Sequence, residues 1–236
     1  IDAELSWDPA WMEKCGIDLE NVLVAQPVTG EEAFNTMREL MDAEVDVIVL
    51  DSIAGLVPSV IHDEDFSYNP MAWQARFVNT SLPRILPNLK EGSAFIAINQ
   101  VRSSMGPVAL DNMPGGLAQS FFAHFLLQVR RSGWIKEGTQ NVGFDMEVRL
   151  RKSKVGGENW KSATVPFRVD GGIDVLESFI REGIERKLIV QSGPWYAYED
   201  EKVMGMNGVK ALFKERTEFF DKLKNDCLLL ILNYKA

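Results

Sequence analysis

Residues 45–59 read VDVIVLDSIAGLVPS. A short aliphatic run closed by a carboxylate and a small hydroxyl residue is the pattern of a buried parallel strand. Such a strand delivers Asp51 and Ser52 to the carboxyl edge of an open α/β sheet, where sheets of this kind bind their ligands. In nucleotide hydrolases an aspartate at that place helps hold the magnesium of a triphosphate. It works together with a phosphate loop, G-x-x-x-x-G-K-[ST], whose backbone N–H groups and lysine cradle the phosphates. The sequence contains no Gly-Lys dipeptide. Either the carboxylate is incidental to an ordinary strand, or the chain is the later portion of a nucleotide hydrolase whose phosphate loop precedes Ile1.

Outward from this strand the pattern is that of a doubly wound sheet. Upstream, Thr29 and Glu32 form a capping box ahead of Ala33, Phe34, Met37, Leu40 and Met41, whose spacing gives one apolar helix face. A helix leading within a few residues into a strand over 46–50 is an αβ step. Further upstream, IDAE reads as a strand end, and WDPAW starts a short helix with Asp8 as cap and Pro9 in its first turn. Downstream, HDEDFSYNP is a polar loop before a helix over 71–88 that Pro83 should kink. SAFIAINQ is the next buried strand, ending in the polar pair Asn99 and Gln100. The following VRSSMGPVALDNMPGG has no periodicity, and aperiodic loops of this length are usually functional or disordered. FFAHFLLQVRR, DMEVRLRKSK and SATVPFRV are strand candidates that extend the sheet in an antiparallel or mixed manner. The DGGID turn at 170–174 marks a boundary between a core over 1–172 and a small α/β C-terminal domain over 173–236.

Bulk properties narrow the classes. With 236 residues, 46% of them hydrophobic, the chain can bury one large core and a small second one. A net charge of −9 argues against nonspecific polyanion binding by the whole surface. A local basic strip runs through Arg130, Arg131, Lys136, Arg149, Arg151, Lys152, Lys154 and Lys161, and by composition alone it reads as a solvated face. Cys15 and Cys227 are too few for a disulfide framework or a zinc site, which fits a reducing cytosol. No stretch resembles a signal peptide or a membrane span, so a soluble, cytoplasmic protein is expected. His62 and His124 have no metal-ligand spacing, and His124, inside an apolar run, reads as a core histidine. The terminal CLLLILNYKA is too short to cross a bilayer and is expected to pack onto the small domain.

Glu4, Asp51 and Gln100 stand at the ends of successive strands and are therefore candidates to converge on one crevice. Each residue singly is also a common strand or helix cap. The ordered set IDAE..WDPAW, QPVTGEEA, VDVIVLDSIAGLVP, INQVR, PGGLAQSFFA, RKSK and GPWYAY resembles the bacterial RecA recombinase family, from Ile1 to about residue 215. The resemblance starts just downstream of that family's phosphate loop and N-terminal polymerisation arm. It implies a RecA-like ATPase core with a twisted, mostly parallel sheet, truncated at its N-terminal side, plus the small C-terminal domain.

What the resemblance implies for function can be carried over by position. Glu4 matches the glutamate that activates the attacking water, and Asp51, with Ser52 beside it, matches the aspartate acting through the magnesium shell. Asp8 and Trp11 fall where the family contacts adenine. Gln100 matches the glutamine that senses the terminal phosphate and relays its presence into the next loop. That loop, with Arg102, Met105, Gly115 and Gly116, resembles the second DNA-binding loop, and Met71, Arg76 and Asn79 fall at DNA-facing positions of the first. Lys152 and Lys154 match a pair that reaches a neighbouring protomer's nucleotide, and Phe121 stands at a subunit-interface position. Ser120 departs from the pattern, where family members commonly carry a basic residue. ATP and Mg2+ as cofactors, single- and double-stranded DNA as partners, a homo-oligomeric helical filament, and roles in recombination, repair and the SOS response all follow as implications. The alternative is an ATPase-inactive fragment or paralogue acting as a DNA-binding or regulatory module.

Overall fold

The computed structural model describes residues 1–59, 70–103, 111–112, 118–156 and 160–233. Met105, Gly115, Gly116 and His62 lie outside them. The chain divides into two compact units: Ile1–Glu13, Ile17–Leu126 and Ser153–Gly156 form the first, and Lys14–Gly16, Leu127–Lys152 and Gly157–Ala236 the second.

In the first unit, α1 (Pro9–Lys14) opens on Pro9, whose fixed φ and missing N–H suit the first helical position. α2 (Gly30–Asp42) is capped by Thr29, whose Oγ1 accepts the Glu32 N–H at 3.2 Å. The Glu32 carboxylate turns back to accept the Val28 N–H at 2.8 Å, so the capping box closes one residue further out than the usual reciprocal bond. β1 (Val47–Leu50) follows, then α3 (Pro70–Ile85), which contains Pro83 and tightens into a 3₁₀ turn over Leu86–Asn88. β2 (Ala94–Ala97) pairs parallel with β1, Leu50 opposite Ala97. On the other side of β1 the chain start runs parallel to it: Asp51 N–H donates to the Ile1 carbonyl at 2.9 Å, and Ala3 N–H to the Asp51 carbonyl at 2.7 Å. Three neighbouring strand ends thus carry Glu4, Asp51 and Gln100 to one edge.

The core of this unit joins Ala33, Phe34, Met37 and Met41 of α2, Ile48 and Leu50 of β1, Ile53 and Leu56 beyond it, and Val78, Leu82 and Ile85 of α3. The expectation of fully buried strands is corrected here. β1 alternates exposed and buried residues, and the opposite face presents Val47 and Ile96 at 52% and 50% exposure, beside Val49 and Ile98. Among the described residues both covering helices pack on a single face, so the period of two is visible in burial where a sheet covered on both sides would hide it.

Two further differences lie downstream. The aperiodic segment contains a two-residue pairing, β3 (Arg102–Ser103) with β4 (Asp111–Asn112), too short to leave any sequence pattern. Phe121 and Phe122 belong to a short helix, α4 (Ala118–Phe122), and not to the strand expected there. His124, between α4 and the next strand, is exposed and is no core histidine. A short continuous apolar run carries no period that separates helix from strand, and this run contains the junction of both.

The second unit holds β5 (Phe125–Glu137) from Leu127, β6 (Gln140–Ser153) up to Lys152, β7 (Ser162–Arg168) and β8 (Gly172–Ile173), which neighbour one another in that order. α5 (Val175–Glu185) is capped by Asp174, which accepts the Glu177 N–H at 2.9 Å. A three-stranded antiparallel sheet follows, of β9 (Val190–Ser192), β10 (Trp195–Tyr198) and β11 (Glu201–Met204), then α6 (Gly205–Glu215) and α7 (Thr217–Asn233). Ile180, Ile189, Tyr198, Val209, Phe213, Leu223 and Cys227 form its core. The terminal apolar run is only partly packed: Cys227 is buried, whereas Leu228, Leu229, Leu230 and Ile231 are exposed. Consecutive helical residues point in different directions, so four in a row cannot all face one core. Among the described residues no helix is long and apolar enough to cross a membrane.

Candidate active site

The site is built around a buried carboxylate that the sequence pattern does not single out. Asp2 is 6% exposed. Its Oδ1 accepts the N–H groups of Glu4 and Ser6 at 3.3 and 3.1 Å and the Ser6 hydroxyl at 3.4 Å. Its Oδ2 accepts the Trp7 N–H at 3.0 Å and the Gln26 amide at 2.9 Å. Burial opposes its ionisation, but the Gln26 amide and the backbone donors outweigh that and hold the carboxyl below its ordinary value. The loop so fixed includes Leu5 at φ 54°, a left-handed conformation that costs a non-glycine residue about 1–2 kcal/mol. These bonds turn the chain sharply after the strand end and present Glu4.

Glu4 Oε1 receives two hydrogen bonds, one from the buried Ser52 hydroxyl and one from the Gln100 side-chain amide at 3.3 Å. Three strand ends are therefore tied at a single carboxylate oxygen. Oε2 accepts no hydrogen bond among the described residues, which leaves it open to a water or a ligand. Gln100 is itself steadied by Asn99, whose Oδ1 accepts the Gln100 N–H at 2.9 Å while its amide donates to Gln119 of α4 at 2.8 Å. The turn after Ser52 is held by Gln74 of α3, whose amide nitrogen donates to the carbonyls of Ile53, Ala54 and Leu56 at 3.1, 2.9 and 3.0 Å. Gly55 is required in that turn, since a Cβ there would sit 2.8 Å from the Ala3 carbonyl oxygen.

Asp51 is half-buried, and burial, followed by the Glu4 and Asp2 charges, pushes its carboxyl above the ordinary value. The Glu4 and Asp51 carboxylates and the Ser52 hydroxyl are hard oxygen donors. That set suits Mg2+, which keeps several waters and takes few protein ligands. Among the described residues no group of three or more His, Cys, Asp or Glu side chains could hold a metal ion.

The family model for the RecA N-terminal domain matches residues 1–174, a stretch that contains every residue of this cluster. The chain belongs to the RecA family. It is 32% identical over 231 residues to Protein RecA of Rubrobacter xylanophilus, covering 96% of this chain and 67% of that one. It is 31% identical over 231 residues to Protein RecA of Acinetobacter baumannii, covering 96% and 66%. The chain thus spans about two thirds of the length of these relatives.

The other expected positions of this RecA-family chain are distributed as follows. Asp8 caps α1, its Oδ1 accepting the Ala10 and Trp11 N–H groups at 3.0 and 3.2 Å, and Trp11 is half-buried on the same helix. Arg76 and Asn79 are exposed one turn apart on α3, so both lie on one face; Met71 is in the first turn of that helix. Arg102 starts β3. Phe121 is exposed on α4. Lys152 ends within β6, whereas Lys154 lies beyond it, because the Ser153 hydroxyl donates to the Gly156 carbonyl and closes a turn there. The Lys154 ammonium donates to the Phe122 carbonyl at 3.4 Å. Sequence reasoning missed Asp2, Gln26, Gln74 and Gln119. Only Asp2 left a signal, as a second acidic residue two positions before Glu4.

Proposed function

We propose that this chain forms the hydrolytic and DNA-contacting portion of an ATP-dependent recombinase that acts in DNA recombination and repair in the cytoplasm. The observation that carries the reading is the meeting of Ser52 and Gln100 on one oxygen of Glu4, with the other oxygen open. A carboxylate anchored in this way is oriented for general-base work: Oε2 holds the attacking water and takes its proton, while Oε1 stays fixed. Asp51 would hold the water shell of Mg2+, which when bound supplies charge stabilisation to the departing phosphoryl oxygens. Asp8 retains one free carboxylate oxygen for an adenine amino group, and Trp11 offers a ring face.

Gln100 would register the terminal phosphate by exchanging its bond to Glu4 for one to the nucleotide. The Asn99 to Gln119 bond gives that exchange a route to the segment holding Arg102, Met105, Gly115 and Gly116. Arg76 and Arg102 would contact single-stranded DNA phosphates, with Met71 and Asn79 beside them, and homologous duplex DNA would be paired along the same strand. Lys152, Lys154 and Phe121 would serve a neighbouring protomer in a helical filament. The core over 1–172 would carry these sites and the small domain over 173–236 would complete the protomer.

The test is DNA-stimulated ATP hydrolysis by the full-length protein. Glu4→Gln keeps the hydrogen-bonding shape but removes the base, and kcat should fall by about a hundredfold or more with nucleotide and DNA binding retained. Hydrolysis by that variant at the wild-type rate would refute the assignment. Arg76→Ala with Arg102→Ala should weaken single-stranded DNA binding and flatten its salt dependence. Unchanged DNA binding by the Arg76→Ala, Arg102→Ala variant, together with lost hydrolysis in Glu4→Gln, would leave an ATPase without these DNA contacts.

A further inference from the structure

α2 and α3 lie side by side, with Phe34 meeting Phe77 edge-on at 5.2 Å between ring centres. Between them runs a groove of about 240 Å³ lined by Phe34, Asn35, Arg38, Ser81, Arg84 and Ile85. Its floor is apolar, since Phe34 and Ile85 are buried. Each wall carries one guanidinium, preceded one helical turn earlier by a neutral hydrogen-bonding side chain: Asn35 before Arg38, and Ser81 before Arg84.

What sets this pair apart is the lack of partners. Arg130, Arg149, Arg168, Arg181, Arg186 and Arg216 each hold a carboxylate. Arg131 and Arg151 lie over tryptophan rings, and Arg76 has an interaction of its own. Among the described residues Arg38 and Arg84 have no carboxylate, hydrogen-bond or aromatic partner for their side chains, and both line the same groove. Together the two guanidinium groups make this groove locally positive in a chain with 34 acidic and 25 basic residues. Asp42, one turn beyond Arg38, is within reach by helical spacing and makes no ion pair with it.

We infer that this groove is an anion site for free inorganic phosphate or pyrophosphate. The two planar guanidinium forks grip the oxyanion from opposite helices, and Asn35 and Ser81 add neutral donors. At roughly 30 Å³ per water, the groove of about 240 Å³ has room for about eight waters, enough for a phosphate or pyrophosphate. Paired arginines favour doubly charged tetrahedral oxyanions over chloride, because each fork can donate two parallel hydrogen bonds. The site uses none of the residues around Glu4.

The experiment is an NMR titration of the whole chain with sodium pyrophosphate at constant ionic strength, with sodium chloride as the matched control. Saturable shifts at the amides of Asn35, Arg38, Ser81 and Arg84 are expected, absent with chloride. Arg38→Ala and Arg84→Ala should each raise Kd by about tenfold, the loss of a charge-assisted contact, and the double variant should show no saturation. Both side chains are exposed, so far-UV dichroism should be unchanged; Arg84→Lys, which keeps the charge and loses the fork, should still bind more weakly than wild type. Shifts that never saturate would overturn the proposal. So would a double variant within twofold of wild type, or Arg84→Lys binding as well as arginine does.

Discussion

Replacing Asp2 with Asn removes a charge and almost no volume, so its effect isolates what the carboxylate contributes. Oδ2 accepts from Trp7 N–H at 3.0 Å and from the Gln26 amide at 2.9 Å. With an amide NH2 at that position, both contacts become donor against donor. The exposed Gln26 can rotate its amide to present oxygen, but the Trp7 N–H belongs to the backbone and cannot. The variant therefore leaves one donor unpaired, at about 1–3 kcal/mol, and loses the charge assistance of the remaining bonds, at about 1 kcal/mol. The sum, about 2–4 kcal/mol, corresponds to a fall in melting temperature of roughly 4–16 °C for a chain of this size. Thermal melts followed by circular dichroism measure it.

The pH dependence gives a second check on the same substitution. The folded-state pKa of Asp2 lies below its ordinary value of 3.8, so its stabilisation is fully present above that value. It is lost as pH falls through the lower folded-state value. The gap between wild type and Asp2→Asn should be constant from neutrality down to the ordinary carboxylate range and close below it. A variant melting within about a degree of wild type, or a gap that persists unchanged in acid, would refute the reasoning.

Asp51→Asn should act with the opposite sign. Burial, with Glu4 and Asp2, raises the Asp51 pKa above 3.8, so its contribution to stability is fully present below that value and is lost as pH rises through the folded-state value. The variant should melt higher than wild type at neutral pH, with the advantage vanishing in acid, and an Asp51→Asn protein less stable at neutral pH would contradict this. Lys210→Met tests the polar cluster of the second unit, where Lys210 donates to Asp174 at 2.9 Å and to Glu177, and Arg181 joins Glu177 to Asp145. The Lys210 side chain is 18% exposed, so its removal should cost about 2–4 kcal/mol in urea denaturation, with little relief from added salt. A cost under about 0.5 kcal/mol would place the pair among ordinary surface bridges.

Much of this architecture was legible in the sequence, because the signals concerned are local. The Thr29–Glu32 box and the stripe from Ala33 to Met41 encode α2 through hydrogen bonds and burial set within a few turns, and the aliphatic run before Asp51 encodes β1 in the same way. Strand ends could be read as the places where functional groups gather, which brought Glu4, Asp51 and Gln100 forward together. Other features depended on approaches between residues far apart in the chain. Gln26 reaches Asp2, Gln74 secures the turn after Ser52, Gln119 meets Asn99, and Ser52 and Gln100 share one oxygen of Glu4 only after the strands have taken their order. The one-sided covering of β1, the helical state of Phe121 and Phe122, and the shared groove of Arg38 and Arg84 have the same origin. Periodicity states which face of an element is apolar, whereas which element covers that face, and which side chains meet across it, is decided by packing in three dimensions.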